Sequence, residues 1–171
     1  MGRSEARTRK ELVDPKLEKA GWSEHDWQIE WEYQITDGRI HFDGKVGRRG
    51  TPKKADYLLR YAPSKAIAVV EAKKESESHL EGAAQAKEYA QKLGLWFAYA
   101  TNGHEIEFFD LKKNKQTSVD RFHSPEELWN MYLEYSGIKP SKEKLTALLH
   151  DFYDESQLGK RRKPRYYQEM A

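Results

Sequence analysis

The chain has 171 residues and a net charge of +2, from 30 Lys and Arg against 28 Asp and Glu. It contains no cysteine, which excludes disulfide frameworks, thiolate metal sites and cysteine nucleophiles. Five Trp, ten Tyr and six Phe are more aromatic residues than disordered chains carry. No apolar run reaches the roughly 18 residues of a membrane span. We therefore expect a small cytoplasmic protein with a folded core and a charged surface.

The first half of the chain predicts one helix and three strands. The predicted elements are a helix, a strand, a turn, a mobile basic loop and the two strands of a hairpin: 4–20, 27–33, 37–38, 39–54, 55–61 and 66–72. Leu12, Val13 and Leu17 form the apolar stripe of the helix. Asp14 followed by Pro15 either kinks this helix or restarts it.

The second half predicts a helix, two strands and further helices: 79–93, 95–101, 105–111, 124–135 and a helix from 141 onward. The alanine-rich helix ends at Gly94, a common helix stop. The segment Ser124–Glu127 has the pattern of a capping box with proline at the first helical position. A hairpin followed by a crossover helix and another strand predicts an α/β fold, with a mixed central sheet flanked by helices.

The hairpin brings charged residues together. If its turn is centred between Pro63 and Ser64, residues whose numbers sum to 127 pair, and Asp56 faces Glu71. Lys73 shares the face of Glu71, because side chains alternate along a strand. Directly opposed carboxylates are destabilising without a proton, a basic neighbour or a cation, and Mg²⁺ is commonly held by one or two carboxylates. Two alternatives remain. An odd-length loop would shift the register by one residue, or Glu71 and Lys73 are simply solvated charges at the end of a strand.

These residues resemble a nuclease family. The superfamily motifs are Asp56, Glu71-Ala72-Lys73 and Gln85-x-x-x-Tyr89, and they resemble PD-(D/E)xK nucleases of the RecB-like branch. The runs 5–22, 55–59 and 100–103 are similar to the N-terminal nuclease domain of type I restriction enzyme motor subunits. Ala55 stands where the superfamily name has proline.

The resemblance implies Mg²⁺-dependent hydrolysis of phosphodiester bonds in duplex DNA, by an endonuclease domain of a type I restriction-modification complex. It implies that Asp56 and Glu71 are metal ligands and that Lys73 positions the attacking water or stabilises the phosphorane. Glu5 matches the position of a third acidic contact, and Glu11 is the weaker candidate. The partners implied are double-stranded DNA and the modification and specificity subunits. The alternative is a catalytically inactive nuclease fold that binds DNA or a partner subunit.

Two further regions bear on the nuclease hypothesis: the helix over 79–93 and the basic run 45–54. The resemblance implies that Gln85 and Tyr89, which share a helix face, lie beside the nuclease centre. An ordinary amphipathic helix edge is the structural alternative for this pair. The basic run 45–54 is a candidate for phosphate contacts, because Lys and Arg bind the DNA backbone without reading sequence.

We divide the chain into three parts. Residues 1–120 are expected to form the nuclease-like domain, and 121–158 a helical extension. Residues 159–171 combine a basic linker with a Tyr-Tyr-Gln segment similar to the entry of superfamily 2 helicase motors. We therefore expect the chain to be the N-terminal part of a larger polypeptide. ATP would bind only in the missing motor region, since no Gly-rich Walker loop is present.

Overall fold

The computed structural model describes residues 2–23, 25–35, 40–43, 46–49 and 53–137, of which 40–43 and 46–49 are described as backbone. The strands are β1 (Ile29–Ile35), β2 (Ile40–Asp43), β3 (Val46–Arg49), β4 (Lys53–Ala62), β5 (Lys65–Ala72), β6 (Phe97–Thr101), β7 (Ile106–Asp110) and β8 (Lys115–Val119). The helical segments are α1 (Glu5–Thr8), a π-helical turn (Arg9–Val13), α2 (Asp14–Lys19), a 3-10 turn (His79–Gly82), α3 (Ala83–Lys92) and α4 (Pro125–Ser136).

Six strands form one mixed sheet in the order β1-β4-β5-β6-β7-β8. β5 and β6 are parallel, and the other neighbours are antiparallel. The 3-10 turn and α3 connect the two parallel strands, as a parallel pair requires. The predicted α/β class and mixed sheet are therefore confirmed.

The hairpin of β4 and β5 has the predicted register near the candidate site. The pairs Tyr57–Val70, Leu58–Val69 and Leu59–Ala68 each sum to 127. Two register shifts, around Arg60, lie between these pairs and the turn. The prediction is right at the far end of the strands because the two shifts compensate each other: Ala62–Lys65 sums to 127, Arg60–Ala66 to 126, and Leu59–Ala68 again to 127.

Two predictions for the segments outside this hairpin are wrong. Residues 40–43 and 46–49 form the antiparallel pair β2–β3, and Lys53 and Lys54 begin β4, so 39–54 is not one loop. Ile40 and Phe42 alternate with polar residues, which is the period of a strand. The prediction also missed β8, whose side chains are exposed or half-buried. Its pairing with β7 is a backbone contact, which leaves little hydrophobic pattern.

The N-terminal helix runs through Pro15 without restarting. Asp14 begins α2 directly after the π-helical turn. Proline lacks an N–H, and its ring would contact the carbonyl group four residues earlier. A wider π-type turn before Pro15 accommodates both effects within a continuous helix. The predicted helix over 4–20 is confirmed as a continuous helical run from Glu5 to Lys19, and it does not restart at Asp14.

The core has two clusters, one on each face of the sheet. One cluster is aromatic and packs beneath the N-terminal helix and α4; it includes Trp22, Tyr57, Tyr99, Phe122 and Trp129. The other packs beneath α3 and includes Leu58, Val69, Ala86, Tyr89 and Phe109. The predicted capping box at the start of α4 is confirmed. The boundary at residue 120 stays a prediction.

Several predictions concern residues outside the described part of the chain. They are the turn at 37–38, the helix from 141 and the segment 159–171. Among the described helices, none is long and apolar enough to cross a membrane.

Candidate active site

The candidate site lies where β4 begins and β5 ends, on the face that α3 covers. Tyr57 pairs with Val70, so Asp56 and Glu71 are the next residues along the two strands, and the backbone N–H of Ala72 donates to Asp56 Oδ2 at 2.8 Å. Their side chains are 13% and 4% exposed, so both carboxyl groups are largely removed from water. Lys73 follows Glu71 by two residues, and its side chain is 18% exposed. The hairpin thus brings two carboxyl groups and one ammonium group to the same end of the sheet, with little exposure to water.

A chain of polar contacts links Glu71 to α3. The Lys73 ammonium lies 3.3 Å from Glu71 Oε1 and 3.3 Å from Gln85 Oε1. The Gln85 amide in turn donates to the Tyr89 hydroxyl at 2.8 Å. Gln85 and Tyr89 are neighbours on one face of α3, because residues four apart stack on a helix. The structure therefore brings together four of the residues that the sequence singled out.

Both oxygens of Asp56 are engaged. Oδ2 accepts a hydrogen bond from the backbone N–H of Ala72 at 2.8 Å. Oδ1 accepts one from the Arg9 guanidinium, also at 2.8 Å. A second nitrogen of Arg9 donates to Glu32 Oε1 at 3.2 Å. Sequence reasoning missed Arg9, although its position four residues after Glu5 places both on one helix face, and that spacing was a usable signal.

Burial dominates the electrostatics of the two carboxyl groups. It raises the pKa of Glu71 to about 8, with the nearby Asp56 carboxylate adding to the effect and Lys73 opposing it. The pKa of Asp56 is also raised by burial, against the Ala72 N–H and Arg9. Glu71 Oε2 is buried and has no hydrogen-bond partner among the described residues. A carboxylate in this position needs a proton or a cation.

The two acidic candidates of the N-terminal helix differ in position. The charge of Glu5 acts on both Asp56 and Glu71 and raises the pKa of each. Glu11 forms ion pairs with Arg3 at 2.7 Å and Arg7 at 2.6 Å instead. The structure thus brings Glu5 toward the carboxylate pair and ties Glu11 to the helix surface.

Gly82 is a second residue that sequence reasoning missed. A Cβ atom at this position would lie 3.1 Å from Glu71 Cγ and 3.5 Å from Lys73 Cε. A side chain at Gly82 would require Glu71 or the 3-10 turn to move by a few tenths of an ångström. The usable signal was an isolated glycine inside a helical pattern, which often marks close packing.

Of the basic run 45–54, the structure describes the side chains of Lys53 and Lys54. Lys53 pairs with Glu88 at 2.7 Å, and Lys54 lies 3.5 Å from Glu32. Phosphate contact by this run stays a prediction.

The residues present fit one hard divalent cation. Within the described residues, no group of three or more His, Cys, Asp or Glu side chains could hold a metal ion. The fit therefore rests on Asp56 and Glu71, and on the unpartnered, buried Oε2 of Glu71. Mg²⁺ does not need an all-protein cage, because it retains waters and binds substrate phosphates beside one or two carboxylates.

Comparisons with known proteins agree on one family. Residues 5–123 match the family model of the type I restriction enzyme R protein N terminus (HSDR_N). The chain is 36% identical over 165 residues to the type I restriction enzyme EcoAI endonuclease subunit of Escherichia coli, which is 93% of this chain and 20% of that protein. It is 42% identical, with a TM-score of 0.80, to a solved fragment described as an HsdR subunit of a type I restriction enzyme from Vibrio vulnificus YJ016. That match covers 99% of this chain and 31% of the solved one, so the chain spans less than a third of either relative.

Proposed function

The chain belongs to the family of type I restriction enzyme R protein N termini, and on this premise we propose that it is an Mg²⁺-dependent endonuclease domain acting on duplex DNA. The observation that carries the proposal is the pair of carboxyl groups of Asp56, which is half-buried, and Glu71, which is buried and has one oxygen without a hydrogen-bond partner among the described residues. Like charges in this arrangement destabilise a folded protein, and a divalent cation is the compensation that also has a chemical use.

Asp56 and Glu71 would hold the Mg²⁺ ion. A bound Mg²⁺ makes water more acidic and offsets the negative charge that develops on the phosphate. In hydrolysis, the oxygen of water bonds to phosphorus, the bond from phosphorus to the leaving oxygen breaks, and a proton ends on that leaving oxygen. The residues of this chain orient the reactants for this step, and the fixed positions of their charges require no rearrangement during it.

Lys73 is the residue best placed to act on the reacting groups. Glu71 Oε1 and Gln85 Oε1 hold its ammonium from two sides, each at 3.3 Å. The ammonium has three protons, so one remains to donate to a water or to a phosphate oxygen. Gln85 and Tyr89 serve as positioning residues, because their 2.8 Å hydrogen bond fixes the amide that holds Lys73.

The domain would act within a larger enzyme of several subunits. As part of a type I restriction-modification enzyme, this domain would work with modification and specificity subunits, which choose the DNA target. The ATP-dependent motor would lie in the remainder of the R subunit. Glu5 would contribute to the Mg²⁺ site through its charge, which acts on both carboxyl groups, and its role as a third ligand stays a prediction, because the described residues hold no group of three such side chains around one metal position.

The test measures DNA cleavage by the intact complex with Mg²⁺. Glu71→Gln keeps the size of the side chain and removes its charge, and we expect it to abolish cutting. Glu107→Gln is the matched control: Glu107 is 5% exposed on the same face of the sheet, but Ser118 Oγ donates to it at 2.7 Å. Full cutting by Glu71→Gln contradicts the proposal. A wild-type complex that binds DNA but neither cuts it nor binds Mg²⁺ supports the inactive alternative.

A further inference from the structure

Arg9 occupies the oxygen of Asp56 that a metal ion would use. The backbone N–H of Ala72 holds Oδ2, and this contact belongs to the end of the hairpin, so it does not move freely. Arg9 holds Oδ1 at 2.8 Å. A divalent cation that binds Asp56 Oδ1 therefore has to replace the charge-assisted hydrogen bond from Arg9.

We propose that Arg9 is a resident cation that competes with the divalent metal for Asp56 Oδ1 and, once displaced, binds a phosphate group of the DNA. The inference rests on the proposed function and adds a residue to it. Arg9 then has two partners in turn: a carboxylate when the metal is absent, and the substrate backbone when the metal is bound.

The geometry gives Arg9 a place to remain after it leaves Asp56. Its second nitrogen already donates to Glu32, whose side chain is 55% exposed and is shared with Lys54. Glu32 lies within β1 at a φ of +51°, a left-handed conformation that non-glycine residues rarely adopt. Backbone strain of this kind persists at functional sites where the surroundings enforce it. Glu32 thus anchors one side of the guanidinium at the edge of the site.

The chemistry of Arg9 suits a phosphate. A guanidinium presents its N–H groups in a planar fork that matches two phosphate oxygens, whereas an ammonium is a point charge. Arg9 and Lys73 are two cationic side chains whose charges act on Asp56 and lower its pKa against the effect of burial. A phosphate group that approaches a divalent cation held by Asp56 and Glu71 would enter the field of both cationic side chains, and Arg9 would be released from Asp56 when that cation binds.

The competing explanation is that Arg9 only ties the N-terminal helix to β1 and β4. A structural tie predicts that removing Arg9 loosens the site, so that metal and DNA both bind more weakly. Competition predicts opposite changes: tighter metal binding and weaker DNA binding. The two directions separate the explanations without reference to catalytic activity.

The experiment titrates the 171-residue chain with Mn²⁺ by calorimetry and with a short DNA duplex in Ca²⁺ by fluorescence anisotropy. We expect Arg9→Ala to bind Mn²⁺ about tenfold more tightly than wild type, the scale of one charge-assisted hydrogen bond. We expect it to bind the duplex about tenfold more weakly, for the same reason. Arg7→Ala is the control, because Arg7 is 67% exposed and pairs with Glu11; it should change neither affinity.

Arg9→Lys provides a second variant that keeps the charge. We expect it to restore part of the duplex affinity, because its ammonium still carries the charge that attracts the phosphate but cannot form the two-pronged contact of a guanidinium. Unchanged or weaker Mn²⁺ binding by Arg9→Ala overturns the inference, and so does unchanged duplex binding. If the wild-type chain binds no more Mn²⁺ than Glu71→Gln does, the proposed function itself fails, which is a different result.

Discussion

Glu71 at the end of β5 and Glu127 in the first turn of α4 experience opposite surroundings. Glu127 forms two contacts with the Arg121 guanidinium, at 2.7 and 2.8 Å, and accepts the backbone N–H of Ser124 at 2.8 Å. These contacts, with Arg121 first, lower its pKa to about 2. Burial beside Asp56 raises the pKa of Glu71 to about 8. The hydrogen bonds at the start of α4 favour the ionised form of Glu127. At the hairpin, burial places Glu71 close to Asp56 and favours the protonated form of Glu71.

The surroundings of Glu71 and Glu127 distinguish a charge with a structural role from one with a functional role. A capping box satisfies its polar groups within four residues and needs nothing from outside. At the end of the hairpin, Glu71 has a buried carboxyl oxygen with no hydrogen-bond partner among the described residues, which costs stability unless a proton or a ligand compensates. In a fold whose other polar groups are satisfied locally, a buried ionisable group without a partner points to a functional site.

The largest expected effect comes from removing the ammonium of the hairpin region. We expect Lys73→Met to lower DNA cleavage by the intact complex about 100- to 1,000-fold, the scale for losing one preorganised electrostatic group. Lys74→Met is the matched control, because Lys74 is 53% exposed and pairs with Glu77. The measurement is the cleavage rate at saturating Mg²⁺. If both variants lost the same cleavage activity, the effect would come from the loss of any positive charge and not from the position of Lys73 beside Glu71.

An intermediate effect concerns stability and pH in the metal-free chain. The folded-state pKa of Glu71, about 8, lies above its ordinary value of 4.5, so the folded state favours the protonated form. The favourable contribution is complete below pH 4.5 and is lost as the pH rises through about 8. Glu71→Gln removes this loss. We expect it to raise the free energy of unfolding by a few kcal/mol at pH 9 and to change it little at pH 4.

Glu127→Gln should behave in the opposite way. The folded-state pKa of Glu127, about 2, lies below 4.5, so its contribution is present above pH 4.5 and is lost as the pH falls through about 2. We expect this variant to lower the melting temperature at pH 7 and to match wild type near pH 2. Thermal unfolding of both variants across pH checks the pair. Destabilisation by Glu71→Gln at pH 9 would contradict the account of the hairpin end.

The smallest effect sharpens the comparison through packing alone. The backbone of Gly82 has a φ of −81°, so alanine is allowed there, but its Cβ would lie 3.1 Å from Glu71 Cγ. We expect Gly82→Ala to shift the Glu71 side chain and to weaken Mn²⁺ binding about threefold, or about 0.7 kcal/mol.

Gly2→Ala is the control for Gly82→Ala. A Cβ atom at Gly2 would meet Ser76 Cβ at 3.4 Å, an ordinary contact. Calorimetry with Mn²⁺ measures both variants. Wild-type affinity in Gly82→Ala would show that Glu71 is free to move aside, against the close packing of the 3-10 turn on the site.

The sequence by itself determined the elements whose causes are local. The register of the β4–β5 hairpin followed from the position of its turn, because the two strands are close in the chain and side chains alternate along each. The start of α4 followed from four consecutive residues, since a capping box is complete within its first turn. The shared face of Gln85 and Tyr89 followed from their spacing on one helix.

Tertiary structure alone decided the contacts between elements distant in sequence. Arg9 reaches Asp56 across 47 positions, and Gly82 meets Glu71 only because the 3-10 turn folds over the end of β5. The strand β8 exists through backbone pairing with β7, which leaves little trace in side-chain pattern. The raised pKa of Glu71 follows from burial beneath α3 and beside Asp56, and burial is a property of the packed whole. Spacing places charged residues on a common face, but only packing removes them from water, so that the pair of carboxyl groups needs a proton or a cation.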